Sequence, residues 1–390
     1  MMGMPTRRQL FAQASSLLST PFLASAAKKS SGNAYWVYIG CYTNNKKSTG
    51  IQLFQFDAAG GKLTSQGIAG EVSNPSFVDF HPTGKYLYAV SEIANLDGQK
   101  TGAVSAFSID RATGKLTTLN RMPSRGAGPC HVRVDATGRM LVVANYSAGS
   151  TASLPIKPDG SLGEAVSHFQ FTGSGADPRR QREPHAHSAT FSPDNRFVVV
   201  ADLGTDKLMV FRADPAKASM TPNDPPFFST PPASGPRHFA FHPKGKYAYV
   251  INELASTVTA MSYDKARGAF QQLETVSTLP PDYKGDTTTA EVKIHPNGKF
   301  LYGSNRGHDS IAVFSIASTG KLKLLGHTST EGKVPRNFSL DPAGKWLIAA
   351  NQNTDNLVVF RVDPSTGKLS PTGQNLPAGA PVCVKFLPFK

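Results

Sequence analysis

Short apolar stretches alternate with turns along almost the whole chain, and one phrase of that pattern keeps returning: a strand, a Pro-x-Gly-Lys-like turn, and a second strand ending on a small or polar residue. Six copies are complete, at residues 80–86, 134–139, 191–196, 241–246, 294–299 and 340–345. They recur at intervals of about 50 residues, long enough for four strands each. A third strand with alternating apolar positions follows, as in 208–211, 311–314 and 357–360. Turns such as Thr113-Gly114-Lys115 and Thr366-Gly367-Lys368 then introduce a fourth. Four antiparallel strands make one propeller blade. The spacing and the lack of a Trp-Asp dipeptide argue against the WD40 type.

The two ends of the chain supply the seventh copy. Residues 381–388 read as a first strand that stops at its turn, and residues 35–41 as a second strand lacking its first. The expected fold is therefore all-β: a seven-bladed β-propeller over residues 34–390, closed by a blade shared between the N- and C-terminal strands, which hides both open sheet edges. Cys41 and Cys383 fall in neighbouring slots of that blade, a placement that allows a disulfide in an oxidising compartment.

Residues 1–26 break the pattern. Thr6-Arg7-Arg8-Gln9-Leu10-Phe11, the apolar stretch 12–22 and Ala24-Ser25-Ala26 have the order of a twin-arginine export signal with its cleavage site. Residues 27–33 would be a linker, and the mature chain is expected in the periplasm or outside the cell. After residue 30 nothing is apolar for the roughly 18 residues that a membrane helix needs, so no membrane partner is expected.

Composition adds two constraints. With 39% hydrophobic and 17% charged residues the chain has material for a large core, and the 35 Gly and 29 Pro are spread as turn punctuation. The formal net charge is +14, without any Lys/Arg run interleaved with aromatics. That favours small anionic ligands over nucleic acid. A monomer is expected.

Aligning the copies shows where the exceptional polar residues fall. At the starts of the first strands stand Ser76/Phe77, Cys130/His131, His187/Ser188, Arg237/His238, Ala290/Glu291, Arg336/Asn337 and Val382/Cys383. At the ends of the second strands stand Ser91/Glu92, Asn145/Tyr146, Asp202/Leu203, Asn252/Glu253, Asn305/Arg306, Asn351/Gln352 and Cys41/Tyr42. In an antiparallel hairpin these places are neighbours, so all fourteen share one rim, opposite the Gly-Lys turns. Four consecutive blades would bring His187 to Asp202, Arg237 to Glu253, Glu291 to Arg306, and Arg336 to Gln352. Selected Arg, His and Asn exceed what solubility requires, and the rim is read as a binding or active site; inter-blade salt bridges are the competing explanation. His185 and His187, two apart, point the same way on a strand, yet the neighbouring blades offer mainly Arg, which repels a cation, so no metal is expected. His81, His242 and His295 sit before the turn prolines and read as turn caps.

These residues resemble a known family, the seven-bladed propeller lactonases, which include propeller-type 6-phosphogluconolactonase and the 3-carboxymuconate lactonizing enzyme. The likeness covers residues 34–390 and rests on Ala144-Asn145-Tyr146 with Gly149-Ser150, Pro184-His185-Ala186-His187-Ser188, Asp202-Leu203-Gly204-Thr205-Asp206, Gly235-Pro236-Arg237-His238, Asn252-Glu253-Leu254, Asn305-Arg306-Gly307 and Pro335-Arg336-Asn337-Phe338. It implies a site of His187 (or His185), Arg237, Glu253 and Arg306. It also implies hydrolysis of a small anionic or sugar lactone without cofactor, His187 or Glu253 acting as general base and Arg237, Arg306 and Arg336 holding an anionic group or the oxyanion. Asn145, Asp202, His185, Glu291, Arg336 and Gln352 complete the expected substrate-binding set. A lactonizing cycloisomerase and a non-catalytic binding propeller are the alternatives. Export would point to a lactone other than that of the cytoplasmic 6-phosphogluconolactone step.

Overall fold

The computed structural model describes residues 34–44 and 47–389, so the expected export signal and linker, residues 1–33, lie outside the described residues. Among the described residues the regular elements are all strands, and they form seven sheets of 4 strands each. No helix among them is long and apolar enough to cross a membrane.

Each repeat phrase becomes the two inner strands of a blade. Ala186–Phe191 lines the channel and pairs antiparallel with Phe197–Asp202 across the 192–196 turn, and Lys207–Asp214 and Ser219–Ser229 complete that sheet outward. Consecutive inner strands touch one another around the ring. The shared blade forms as the pattern predicts: Pro381–Pro388 is its inner strand and pairs with Ala34–Cys41, Val37 opposite Phe386 and Ile39 opposite Val384.

The cysteines are not joined. A register irregularity between Gly40 and Cys41 sets Cys383 opposite Gly40 and Cys41 opposite Pro381. Successive strand positions face opposite sides of a sheet, so Cys41 Sγ meets the Gly50 carbonyl at 3.0 Å while Cys383 Sγ turns toward the Val78 carbonyl. Cys41, Cys130 and Cys383 are all free and buried.

The core lies between blades, where the alternating apolar positions of facing sheets interlock. Met140, Val142 and Ala144 pack on Val198, Val200 and Phe211. Ile348, Ala350 and Val359 pack on Val37, Ile39 and Phe54, which seals the shared blade to its neighbour. Burying each such side chain contributes about 1.5–3 kcal/mol. Polar clasps repeat between blades as well. Buried Tyr38, Tyr88, Tyr249 and Tyr302 donate to the carbonyls of Gly114, Gly160, Gly320 and Gly367 in the next blade, at 2.8, 3.0, 2.9 and 3.0 Å.

The three histidines before the turn prolines do more than cap. Nδ1 of His81, His242 and His295 accepts the amide of Thr83, Lys244 and Asn297 in its own turn. That leaves the proton on Nε2, which reaches the carbonyl of Gly138, Gly298 or Gly344 in the following blade at 3.0, 2.9 and 2.9 Å. The turn glycine is required twice over. Gly138 has φ 72°, a left-handed value that penalises side chains, and a Cβ there would come within 2.1 Å of His81 Nε2.

Candidate active site

At the mouth opposite those turns, the inner strands depart from regular pairing. Register shifts occur between Pro129 and His131, Ala186 and Ser188, Pro236 and His238, and Pro335 and Asn337. A β-bulge of this kind leaves one residue out of the ladder and re-aims side chains. The residues so released are Cys130, His187, Arg237 and Arg336. Those following them, among them His131, His238 and Asn337, lie one layer deeper in the channel.

Glu253 is the centre of the mouth. Its Oε2 lies 2.9 Å from Arg237 Nε and 2.9 Å from Arg306 Nη2, its Oε1 2.8 Å from Arg180 Nη2, and His187 Nε2 stands 3.8 Å from Oε2. The guanidiniums are fixed in turn: Arg237 Nη1 donates to the Ala290 carbonyl at 2.6 Å, Arg306 Nη2 to the Thr289 carbonyl at 2.7 Å, and Arg180 Nη2 to the Tyr146 hydroxyl at 3.1 Å. Burial alone would raise the Glu253 pKa; Arg306, Arg237 and Arg180 override it and hold the carboxyl down at about 2. His187 is pushed the other way from charge. Burial first, then Arg237 and His238, take its imidazole well below the ordinary 6.5, so at neutral pH it is an uncharged base against a locked carboxylate.

Arg336 differs from the other three arginines. Its guanidinium carbon sits 5.6 Å from the centre of the Tyr42 ring, and among the described residues it has no hydrogen-bond or ion-pair partner. Tyr42, Glu92 and Glu253 are close enough to reinforce its charge against the effect of burial. Beside it, Tyr42 and Gln352 line a cavity of about 440 Å³ together with Asn44, Lys47, Asn353 and Ala380.

The expected pairings are redistributed. His187 and Arg306 both turn to Glu253, the first not to Asp202 and the second not to Glu291. Glu291 lies a layer below, where His238 Nδ1 at 3.0 Å, Lys293 Nζ at 3.3 Å and Asn337 Nδ2 enclose it. Asp202 faces away from the mouth and accepts from the His185 and Gly204 amides and the Thr205 hydroxyl at 2.6, 3.1 and 2.6 Å. Asn145 also faces away, donating to the Ser124 carbonyl at 2.9 Å. Asn305 and Asn351 do the same to the Thr278 and Thr330 carbonyls, so in these three blades the Asn fastens the end of the second strand to the incoming loop. His185 lies flat on the Tyr146 ring, centres 4.5 Å apart, and forms a wall of the mouth. Among the described residues no three His, Cys, Asp or Glu side chains are placed to hold one metal ion.

Arg180 was not foreseen. It belongs to a loop between two blades, outside the repeat, where Asp177 Oδ1 accepts the Arg179 and Arg180 amides and buried Gln181 anchors to the Leu203 carbonyl and Asp206. Its only sequence signal is an aperiodic, arginine-rich insertion at 173–184.

The family described as "Lactonase, 7-bladed beta-propeller" matches residues 36–386. The chain belongs to this family. It is 39% identical over 354 residues to a 6-phosphogluconolactonase of Bacillus subtilis, covering 90% of this chain and 98% of the relative. A 6-phosphogluconolactonase of Formosa agariphila is 38% identical over 87% of this chain and 96% of its own. Among solved structures, the periplasmic gluconolactonase of Pseudomonas aeruginosa superposes with a TM-score of 0.85 at 33% identity, covering 92% of this chain and 100% of that one. Of the residues that the resemblance implies, His187 (or His185), Arg237, Glu253 and Arg306, this chain brings His187, Arg237 and Arg306 to Glu253 and stacks His185 on Tyr146.

Proposed function

We propose that the protein hydrolyses a small sugar-type lactone at this mouth, as a 6-phosphogluconolactonase-like enzyme, with His187 as general base. The observation that carries the reading is the neutral His187 at 3.8 Å from a carboxylate held ionised by three guanidiniums. Glu253, with a pKa of about 2, is too weak a base for water at neutral pH; its work is to hold the three arginines in place and to stabilise His187 once protonated. Water gives a proton to His187 Nε2 as its oxygen attacks the lactone carbonyl. The resulting oxyanion is met by Arg336, whose donors are not spent on protein groups. Collapse breaks the ring C–O bond, and the leaving alkoxide takes the proton back from His187, giving the open-chain hydroxy acid. Residues 1–26 would export the chain, which fits the periplasmic setting in the name of the Pseudomonas relative.

The test is mutational. His187→Gln should lower kcat for lactone hydrolysis by about 10²–10⁴, the usual worth of a positioned base. Arg336→Ala should lower it by about 10²–10³, as loss of an oxyanion donor does. Full activity of purified, folded His187→Gln would overturn the assignment of the base.

A further inference from the structure

Glu92 is the second carboxylate at the mouth, and the reaction above does not use it. It occupies the place in its blade that Glu253 occupies in another, but its surroundings are opposite in kind. Its partners are hydroxyls: Tyr42 OH lies 3.1 Å from each of its oxygens, and Ser76 Oγ donates to Oε2. Its backbone is pinned at both sides, the amide to the Asn74 carbonyl at 3.0 Å and the carbonyl to Asn74 Nδ2 at 3.4 Å. No Lys or Arg lies within ion-pair distance of it among the described residues, whereas three arginines hold Glu253.

A carboxylate offers about four lone-pair sites. Tyr42 and Ser76 supply two protons between them, so acceptor capacity remains. Glu92 points toward Tyr42, against whose ring the Arg336 guanidinium sits. On the other side of Tyr42, Gln352 Oε1 is a buried acceptor without a hydrogen-bond partner, on the wall of the 440 Å³ cavity. Three consecutive blades thus present acceptors (Gln352, the Tyr42 oxygen and Glu92), while His187, Glu253 and Arg306 come from the other side of the ring. An acceptor wall suits a ligand part rich in O–H donors. Within it the Glu92 carboxylate, not the neutral Gln352 and Tyr42, repels an anionic group that comes within a few ångströms in a site with little water, while Lys47 stands on the wall of the Tyr42–Gln352 cavity.

We infer that Glu92 is a specificity-determining residue: with Gln352 it receives the free hydroxyls of a polyhydroxylated ligand, and it turns away ligands with an anionic group at both ends. The inference rests on the lactonase reading for its choice of the mouth as the ligand site. It favours an aldonic-acid lactone, with its carbonyl end toward Arg336, over an unsaturated dicarboxylate.

Binding of gluconate and of hexanoate to the purified chain, measured by titration calorimetry, tests this without turnover. Both carry one carboxylate, and only gluconate carries the hydroxyl row. The wild type should prefer gluconate, and Glu92→Gln should shrink that preference about tenfold or more, the worth of hydrogen bonds to a charged acceptor. Glu92→Asp, which keeps the charge and shortens the reach, should fall between. Adipate, with a carboxylate at each end, should bind Glu92→Gln better than wild type. A gluconate-to-hexanoate ratio unchanged in Glu92→Gln, or no preference in the wild type, would overturn the inference. A changed ratio in a protein that hydrolyses no lactone would sink the lactonase reading and leave the specificity of the mouth standing. Circular dichroism of each variant identifies misfolding, in which case Glu92→Asp carries the comparison.

Discussion

His187 and Glu253 have their protonation states driven apart, with Arg237 acting on both: Arg306, Arg237 and Arg180 hold Glu253 ionised, while burial, then Arg237, His238 and Arg336, keep His187 neutral. Positive charge nearby stabilises the carboxylate and penalises the imidazolium, so one group stays charged and the other neutral across the working range. The direction of the pH dependence follows. His187 has a folded pKa below 6.5, for which burial is the first cause and Arg237 the second. Its base form therefore dominates above that depressed value and is lost as pH falls through it. The kcat/KM profile, which reports the free enzyme, should already lie on its plateau at pH 6.5, with its acid limb lower. A half-maximum at or above 6.5 would show that the base is an ordinary, unperturbed group or another residue.

At the scale of strands and turns, two clasps recur. In three blades the glycine of the turn after the first strand accepts a histidine of the blade before, and in four the glycine of the turn after the third strand accepts a tyrosine hydroxyl of the blade before. Gly138→Ala forces a side chain into a left-handed position and against His81. It should cost about 1–3 kcal/mol and lower the thermal midpoint with activity intact at temperatures where the protein is folded; an unchanged midpoint would contradict the clasp. The repeat made the hairpins, the split blade and the mouth legible, because Gly-Lys turns and apolar alternation are local. Side-chain direction at the mouth was not legible. Regular alternation would have Asn145 and Asp202 face the site with His187, whereas the bulges at 129–131 and 186–188 release Cys130 and His187 and leave Asn145 and Asp202 to tie backbone, and Glu291 lies within a separate irregularity between Thr289 and Val292. Arg180 escaped for a different reason, since a loop outside the repeat has no aligned position to compare.

Across the whole molecule, the candidate site exists only because the ring closes. His187, Arg237 with Glu253, Arg306, and Arg336 come from four consecutive blades, and Tyr42 comes from the blade that both termini build. No single blade holds a working set. The proposed chemistry would then be a property of the intact propeller, and the central claim is correspondingly plain: purified protein should open a hydroxylated lactone. The most direct measurement is acid release with glucono-δ-lactone and its 6-phosphate, alongside ultraviolet absorbance with carboxymuconate as the ring-forming alternative. Hydrolysis of at least one hydroxylated lactone well above the uncatalysed rate, with carboxymuconate left untouched, is the result expected. Turnover of none of the lactones, or cyclisation of carboxymuconate in their place, would contradict it.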